Sequence, residues 1–159
     1  MGGRGTWLIS ITLLIGLFLQ LAPLPFEWRV FRPDFVLMVL FYWVLALPQR
    51  VGIFFAMLVG LGIDLLDGLA VGATAAGAST GCLILLINYQ RLRQFDSLQQ
   101  TFVIGLILTI VLLISQRLHD LLGFTALGLE FLYSVPLSMV LWVPLRNSLR
   151  RYRRYYEIV

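Results

Sequence analysis

The chain has 159 residues, 60% of them hydrophobic and 13% charged, and its mean hydropathy is +0.91. A soluble domain carries about 25% charged residues and less than about 50% apolar ones, so this composition excludes a soluble globular protein and predicts an integral membrane protein. All twelve basic residues are arginine, and without a soluble fold to present them they do not predict nucleic-acid binding.

Six apolar stretches follow one another along the chain. At about 20 residues per span they leave little for a soluble domain, so a single transmembrane domain is expected. The predicted fold class is an all-α integral membrane protein, a six-helix transmembrane bundle. The domain covers residues 1–159, with spans at about 6–22, 31–47, 51–66, 71–89, 100–116 and 129–145 and an Arg/Tyr-rich cytoplasmic tail at 146–159.

The first span is predicted to be a retained helix, because no small-x-small cleavage site follows it. Pro23 and Pro25 end it. The second span is preceded by Arg32, Pro33 and Asp34. We expect Arg32 to pair with a nearby acid and Pro33 to set the entry into the helix. Binding of an anionic ligand by this group is the alternative.

Two acids, Asp64 and Asp67, stand near the end of the third span. Residues three apart lie on one face of a helix. Acids within spans mark ion or proton sites by default. Because this pair lies close to the predicted turn, we favour acids at the membrane boundary that are hydrated and cap the next helix.

Small residues dominate the stretch GLAVGATAAGASTG, which leads into the fourth span and contains Gly68-x-x-x-Gly72 and Gly77-x-x-x-Gly81. Small residues at this spacing let helix backbones approach closely, the main source of packing energy in lipid. The pattern predicts a seam within the chain or with another protein's span, and a ligand cavity is a third alternative. Residues 67–72 form a tight turn into the fourth span, or residues 67–76 form irregular backbone that must be covered by protein.

The loop after the fifth span contains His119, and no second histidine or cysteine stands nearby, so no metal site is predicted. In the tail, arginines alternate with tyrosines. We expect anchoring to anionic lipid, at about 1 kcal/mol per arginine, with docking of a cytoplasmic partner as the alternative. The tail arginines are Arg146, Arg150, Arg151, Arg153 and Arg154.

Arginine placement predicts the topology. With both termini in the cytoplasm, the six-span arrangement puts nine arginines inside and three outside, as the positive-inside rule requires. The three outside are Arg29, Arg32 and Arg117.

The sequence from Phe31 to Gln90 carries a specific pattern. It reads RPD-FVLMVLFYWVLALPQRVG and continues as G-x-x-x-D-L-x-x-G-x-x-x-G. The second motif is formed by Gly60, Asp64, Leu65, Gly68 and Gly72. This pattern resembles the rod-shape-determining MreD family of Gram-negative bacteria, in which a small polar residue is expected where Asp67 stands.

The resemblance implies a non-catalytic scaffold subunit of the bacterial elongation (rod) complex, which directs peptidoglycan synthesis and maintains cell shape. The implied location is the inner membrane. The implied partners are the span of MreC, the MreB filament, and RodA with its transpeptidase partner; membrane lipids and a homodimer are further expectations. The docking groove is expected in the region 60–81. The candidate partner or helix-packing residues are Arg32, Pro33, Gly60, Asp64, Gly68, Gly72, Gly77 and Gly81.

A second function class stays open. The MreD family is similar in size and helix layout to the S-components of energy-coupling-factor transporters, so the chain is alternatively the substrate-binding subunit of a vitamin-type importer. Its first helix lacks the Ala-x-x-x-Ala face that S-components carry, which favours the scaffold. An ion-linked carrier built on Asp64 is weaker. No pair of nucleophile and base is present, so no enzyme and no cofactor are expected.

Overall fold

The computed structural model describes residues 3–22, 33–68, 71–123 and 132–156. Within these residues the chain is helical and has no strand, which confirms the all-α class with six helices. The helices are α1 (Gly3–Leu21), α2 (Phe35–Ala46), α3 (Ile53–Asp67), α4 (Ala73–Gln94), α5 (Ser97–Leu121) and α6 (Ser134–Tyr155).

Successive helices run in opposite directions. In α1 and α2, Thr12 contacts Trp43, whereas the later Gly16 contacts the earlier Phe35. Each later helix also lies against the next one. Gly60 of α3 lies against Ala75 of α4, and Gly77 of α4 lies against Ser115 of α5. Gln100 of α5 is hydrogen-bonded to Arg146 of α6. The bundle therefore has two ends. The aspartate end contains the start of α2 and the α3–α4 turn, and the arginine end contains the end of α2, the α4–α5 turn and the end of α6.

Helix α2 forms the core of the bundle. It packs against α1, α4 and α6, and all its residues from Val36 to Ala46 are buried. A helix enclosed on every side needs apolar residues all round, as FVLMVLFYWVLA supplies. At about 1.5 Å per residue its 12 residues span about 18 Å.

Helices α4, α5 and α6 reach beyond the predicted spans; α5 runs from Ser97 to Leu121, so His119 lies in its last turn and not in a loop. Helix α4 is regular from Ala73, which excludes the alternative of irregular backbone for residues 73–76. Helix α6 passes through Pro144, whose missing N–H removes one hydrogen bond of the helix, and continues to Tyr155. Most of the predicted tail is thus a continuation of α6.

One helix of the described part, α5, is long and apolar enough to cross a membrane, with 25 residues. Shorter apolar helical segments occur at Trp7–Leu21 and Phe35–Ala46. The number of membrane crossings and the orientation of the termini stay predictions.

Candidate functional site

Asp64 binds the start of helix α4. Its side chain is 1% exposed, and its two carboxylate oxygens accept hydrogen bonds from the backbone N–H groups of Gly72 (2.8 Å), Thr74 (3.0 Å) and Ala75 (3.3 Å). The first N–H groups of a helix have no partner within the helix, and its N-terminus attracts negative charge. Asp64 therefore closes the α3–α4 hairpin, whereas Asp67 is exposed.

Two glycines shape the turn between these helices. Gly68 ends α3 in the left-handed conformation, with φ +65°, and its N–H donates to the carbonyl of Asp64. Gly72, with φ +104°, precedes α4. Side chains other than glycine are strained in this region, so both positions require glycine for the turn. The spacing Asp64–Gly68–Gly72 thus encodes one compact turn with its cap.

Three other glycines lie in seams between helices of the same chain. A Cβ on Gly60 would collide with the backbone of Ala75 in α4. A Cβ on Gly77 would lie 2.7 Å from the carbonyl oxygen of Val111 in α5, and one on Gly81 would lie 2.9 Å from the Phe41 ring of α2. Close approach of backbones at small residues is the expected packing mode in lipid. These glycine faces are occupied by the chain's own helices.

A cavity of about 220 Å³ opens at the arginine end. Arginines from two helices surround it: Arg93 at the end of α4, and Arg146, Arg150 and Arg153 along α6. The α6 residues follow at spacings of four and three, so they share one face of the helix. The remaining lining residues are Tyr42, Leu45, Ala46, Gln100 and Trp142.

Hydrogen bonds hold part of this cavity in place. The guanidinium of Arg93 donates to the carbonyl oxygen of Ala46 at 2.9 Å, which satisfies a free acceptor at the end of α2. Arg146 donates to the side-chain oxygen of Gln100 and, at 2.8 Å, to the Ser97 hydroxyl. Gln100 in turn donates to the Leu92 carbonyl at 3.2 Å. The cavity wall is thereby tied across α2, α4, α5 and α6.

Comparison with known proteins decides the family. The model of the family MreD, rod shape-determining protein MreD, matches residues 1–152. The chain belongs to the MreD family. It is 36% identical over 110 residues to the "Rod shape-determining protein MreD" of Haemophilus influenzae, a match that covers 67% of this chain and 68% of that protein. No solved structure matches, so the likeness to the S-component fold stays a prediction.

Membership in MreD implies a role in determining rod shape. MreD is a family of shape-determining structural proteins that is not known as an enzyme family.

The residues predicted as a site in this MreD chain fall into separate places. Arg32 lies outside the described residues, and Pro33 is buried beside the start of α2. Gly60, Asp64, Gly68, Gly72, Gly77 and Gly81 serve the α3–α4 hairpin and its seams with α2 and α5. Of the tail arginines, Arg146, Arg150 and Arg153 line the cavity, while Arg151 and Arg154 are exposed.

Sequence reasoning did not identify the polar partners of the cavity arginines or the other residues of the cavity wall. Arg93 was assigned to the cytoplasmic side on charge alone, Trp142 is predicted by the sequence only as an interfacial or packing residue, and Ser97 and Gln100 were not singled out. The polar run around Ser97 and Gln100, placed between two apolar spans, is a local signal of an interfacial cluster. Their meeting with α6 depends on helix packing across some 46 residues of sequence, which periodicity does not show.

A second, largely apolar groove of about 360 Å³ runs between α1, α2 and α6. Its lining includes Ile15, Val39, Leu145 and Tyr152. Burial raises the pKa of the Tyr152 hydroxyl, and the neighbouring Tyr156 raises it further. The groove suits an apolar chain better than a polar small molecule.

Proposed function

We propose that this MreD-family protein is a multi-pass, non-catalytic scaffold of the bacterial inner membrane. In this role it binds the span of MreC and helps couple MreB filaments to peptidoglycan synthesis by RodA and its transpeptidase partner. The observation that carries the proposal is the family match over residues 1–152.

The distribution of charge supports an orientation with both termini in the cytoplasm. The described acids at the aspartate end are Asp34, Asp64, Asp67 and Asp120, together with a single arginine, Arg117. The other end has one described acid, Asp96, and the described arginines there are Arg50, Arg91, Arg93, Arg146, Arg150, Arg151, Arg153 and Arg154. Cytoplasmic loops carry the excess of arginine, so the arginine end faces the cytoplasm and MreB.

The chemistry of the hairpin supports a structural role for Asp64. An ion or proton carrier needs a carboxylate that exchanges its ligand. Here both oxygens of Asp64 are held by backbone N–H groups at the start of α4. Releasing them would uncap α4, so this acid serves the fold that a scaffold presents.

We place the MreC span against the α3 ridge, defined as Phe54, Leu58, Gly62 and Leu65. These residues share one face of α3, and the three large side chains are 80%, 63% and 68% exposed. A Cβ at Gly62 would meet nothing within 4 Å. The ridge lies about 200° around the helix from Gly60, whose face is occupied by α4. An open glycine between large apolar residues lets a partner helix approach closely.

The test is recovery of MreC with the tagged chain from its host's membranes, by native mass spectrometry. Gly62→Leu is expected to lower MreC recovery about tenfold, because a bulky side chain inserted into a packed interface costs about 1–3 kcal/mol. Gly52→Leu is the matched control, since Gly52 also faces open space but lies off the ridge. Cell shape in a complementation strain provides the second readout.

Equal MreC recovery by both variants would show that MreC does not bind at the α3 ridge. Recovery of the chain with a stoichiometric small molecule, or with an ATPase and its membrane coupler, would instead favour the importer. Gly77→Leu is unsuitable for this test, because the new side chain would collide with Val111 of the same chain. If cells with that variant lost their rod shape, the cause would be a disturbed fold and not a weaker contact with MreC.

A further inference from the structure

The arginine end concentrates positive charge around one cavity. Four guanidinium groups line it, and no acidic side chain is among its described lining residues. Like charges held together repel one another, and the repulsion is stronger where protein replaces water around them. A bound anion would remove this repulsion, so the charge pattern points to a negatively charged ligand.

Two buried donors at the cavity wall also lack an acceptor. Trp142 is fully buried, and its indole Nε1–H has no hydrogen-bond partner among the described residues. The Nε–H of Arg146 is likewise unsatisfied within the described part of the chain. Buried donors are nearly always paired, because an unmade hydrogen bond costs free energy. These two donors mark a wall of the cavity whose hydrogen bonds the described residues do not complete.

The cavity is preformed on one side and adjustable on the other. Arg93 and Arg146 are held by Ala46, Gln100 and Ser97. Arg150 and Arg153 make no hydrogen bond within the described residues and are able to turn toward a ligand. Fixed donors with mobile cations beside them suit a tetrahedral oxyanion, which offers acceptors in several directions.

We propose that the arginine cavity binds a phosphate group, carried by the headgroup of an anionic phospholipid or by a soluble phosphate. Its volume of about 220 Å³ is below the range of about 300–1,000 Å³ typical of sites for drug-sized ligands, so it holds a headgroup-sized anion. Leu45 and Trp142 provide an apolar wall beside the charges. The proposal concerns a ligand and goes beyond the protein partners of the scaffold.

The experiment is a titration of the purified full chain in detergent, followed by native mass spectrometry. One arm adds phosphatidylglycerol and the other adds inorganic phosphate as a competitor. Wild type is expected to retain one phosphatidylglycerol per chain. Arg150→Gln with Arg153→Gln is expected to weaken this binding at least about tenfold, since each arginine near a membrane surface contributes measurably to anion binding.

A matched control lies on the same helix. Arg151→Gln with Arg154→Gln removes the same charge from exposed positions outside the cavity, and it is expected to change binding by less than about twofold. Thermal unfolding of both double variants verifies that the helix is retained. Displacement of the lipid by inorganic phosphate supports a soluble phosphate, and resistance to displacement supports the lipid headgroup.

Three results would overturn the proposal. In the first, both double variants weaken lipid binding equally, which would make it a general effect of surface charge. In the second, the wild-type chain retains neither phosphatidylglycerol nor phosphate. In the third, the cavity is occupied by an acidic segment of a partner protein, identified by cross-linking at Arg150→Cys.

Discussion

At the scale of single residues, Asp64 shows how an acid in an apolar helix is stabilised. Its carboxylate meets three backbone donors at the start of α4, so a buried charge and a helix end that lacks partners satisfy each other. The hydration predicted for this acid is wrong, because the side chain is 1% exposed. The other part of the same expectation, that the acid caps the following helix, agrees with its contacts.

Replacing this carboxylate is therefore expected to destabilise the hairpin. Asp64→Ala should cost roughly 1–3 kcal/mol, because it leaves buried N–H groups of α4 without acceptors. The measurement is the midpoint of thermal unfolding in detergent, followed by circular dichroism. Asp67→Ala is the control, since Asp67 is exposed. A drop no larger for Asp64→Ala than for Asp67→Ala would refute the capping role.

At the scale of helices, the effect of a glycine depends on whether a neighbouring helix packs against it. Gly77 lies against the backbone of α5, whereas Gly62 on α3 faces open space. The same substitution should therefore have opposite effects at the two positions. Gly77→Ala is expected to lower stability by about 1–3 kcal/mol through overpacking. Gly62→Ala is expected to raise it by up to about 1 kcal/mol, the gain in helix propensity.

Thermal unfolding of the two alanine variants, measured side by side, provides the comparison. If Gly77→Ala were as stable as Gly62→Ala, the close contact between α4 and α5 would not exist. The pair also separates effects on the fold from effects on partners, because alanine at Gly62 leaves most of the α3 ridge unchanged.

At the scale of the whole molecule, the proposed orientation is open to chemical labelling. Asp67→Cys and Arg151→Cys introduce thiols at exposed positions of opposite ends. The native Cys82 is buried and should contribute little background. In intact spheroplasts a membrane-impermeant maleimide is expected to label Asp67→Cys but not Arg151→Cys. Arg151→Cys is expected to be labelled only after permeabilisation. The reverse pattern would place the arginine end outside, against the positive-inside rule.

The sequence by itself determined the all-α class, the six helices and the family. Those features rest on composition, apolar run length and local motifs such as Gly60-x-x-x-Asp64, which need no knowledge of distant contacts. The ends of the helices were not predictable in this way: α6 continues through Pro144 to Tyr155, although the proline removes one hydrogen bond of the helix.

Tertiary structure alone decided what each small or charged residue contacts. The same glycine spacing occurs where two helices of one chain pack together and where a partner's span binds, so the sequence does not distinguish the two. The packing of α4 against α3 and α5 shows that Gly60 and Gly77 lie inside the bundle. The arginine cavity likewise forms because helix packing brings Arg93 to the end of α2 and Gln100 to Arg146. Helical periodicity relates residues a few positions apart, whereas these contacts join residues separated by more than forty positions.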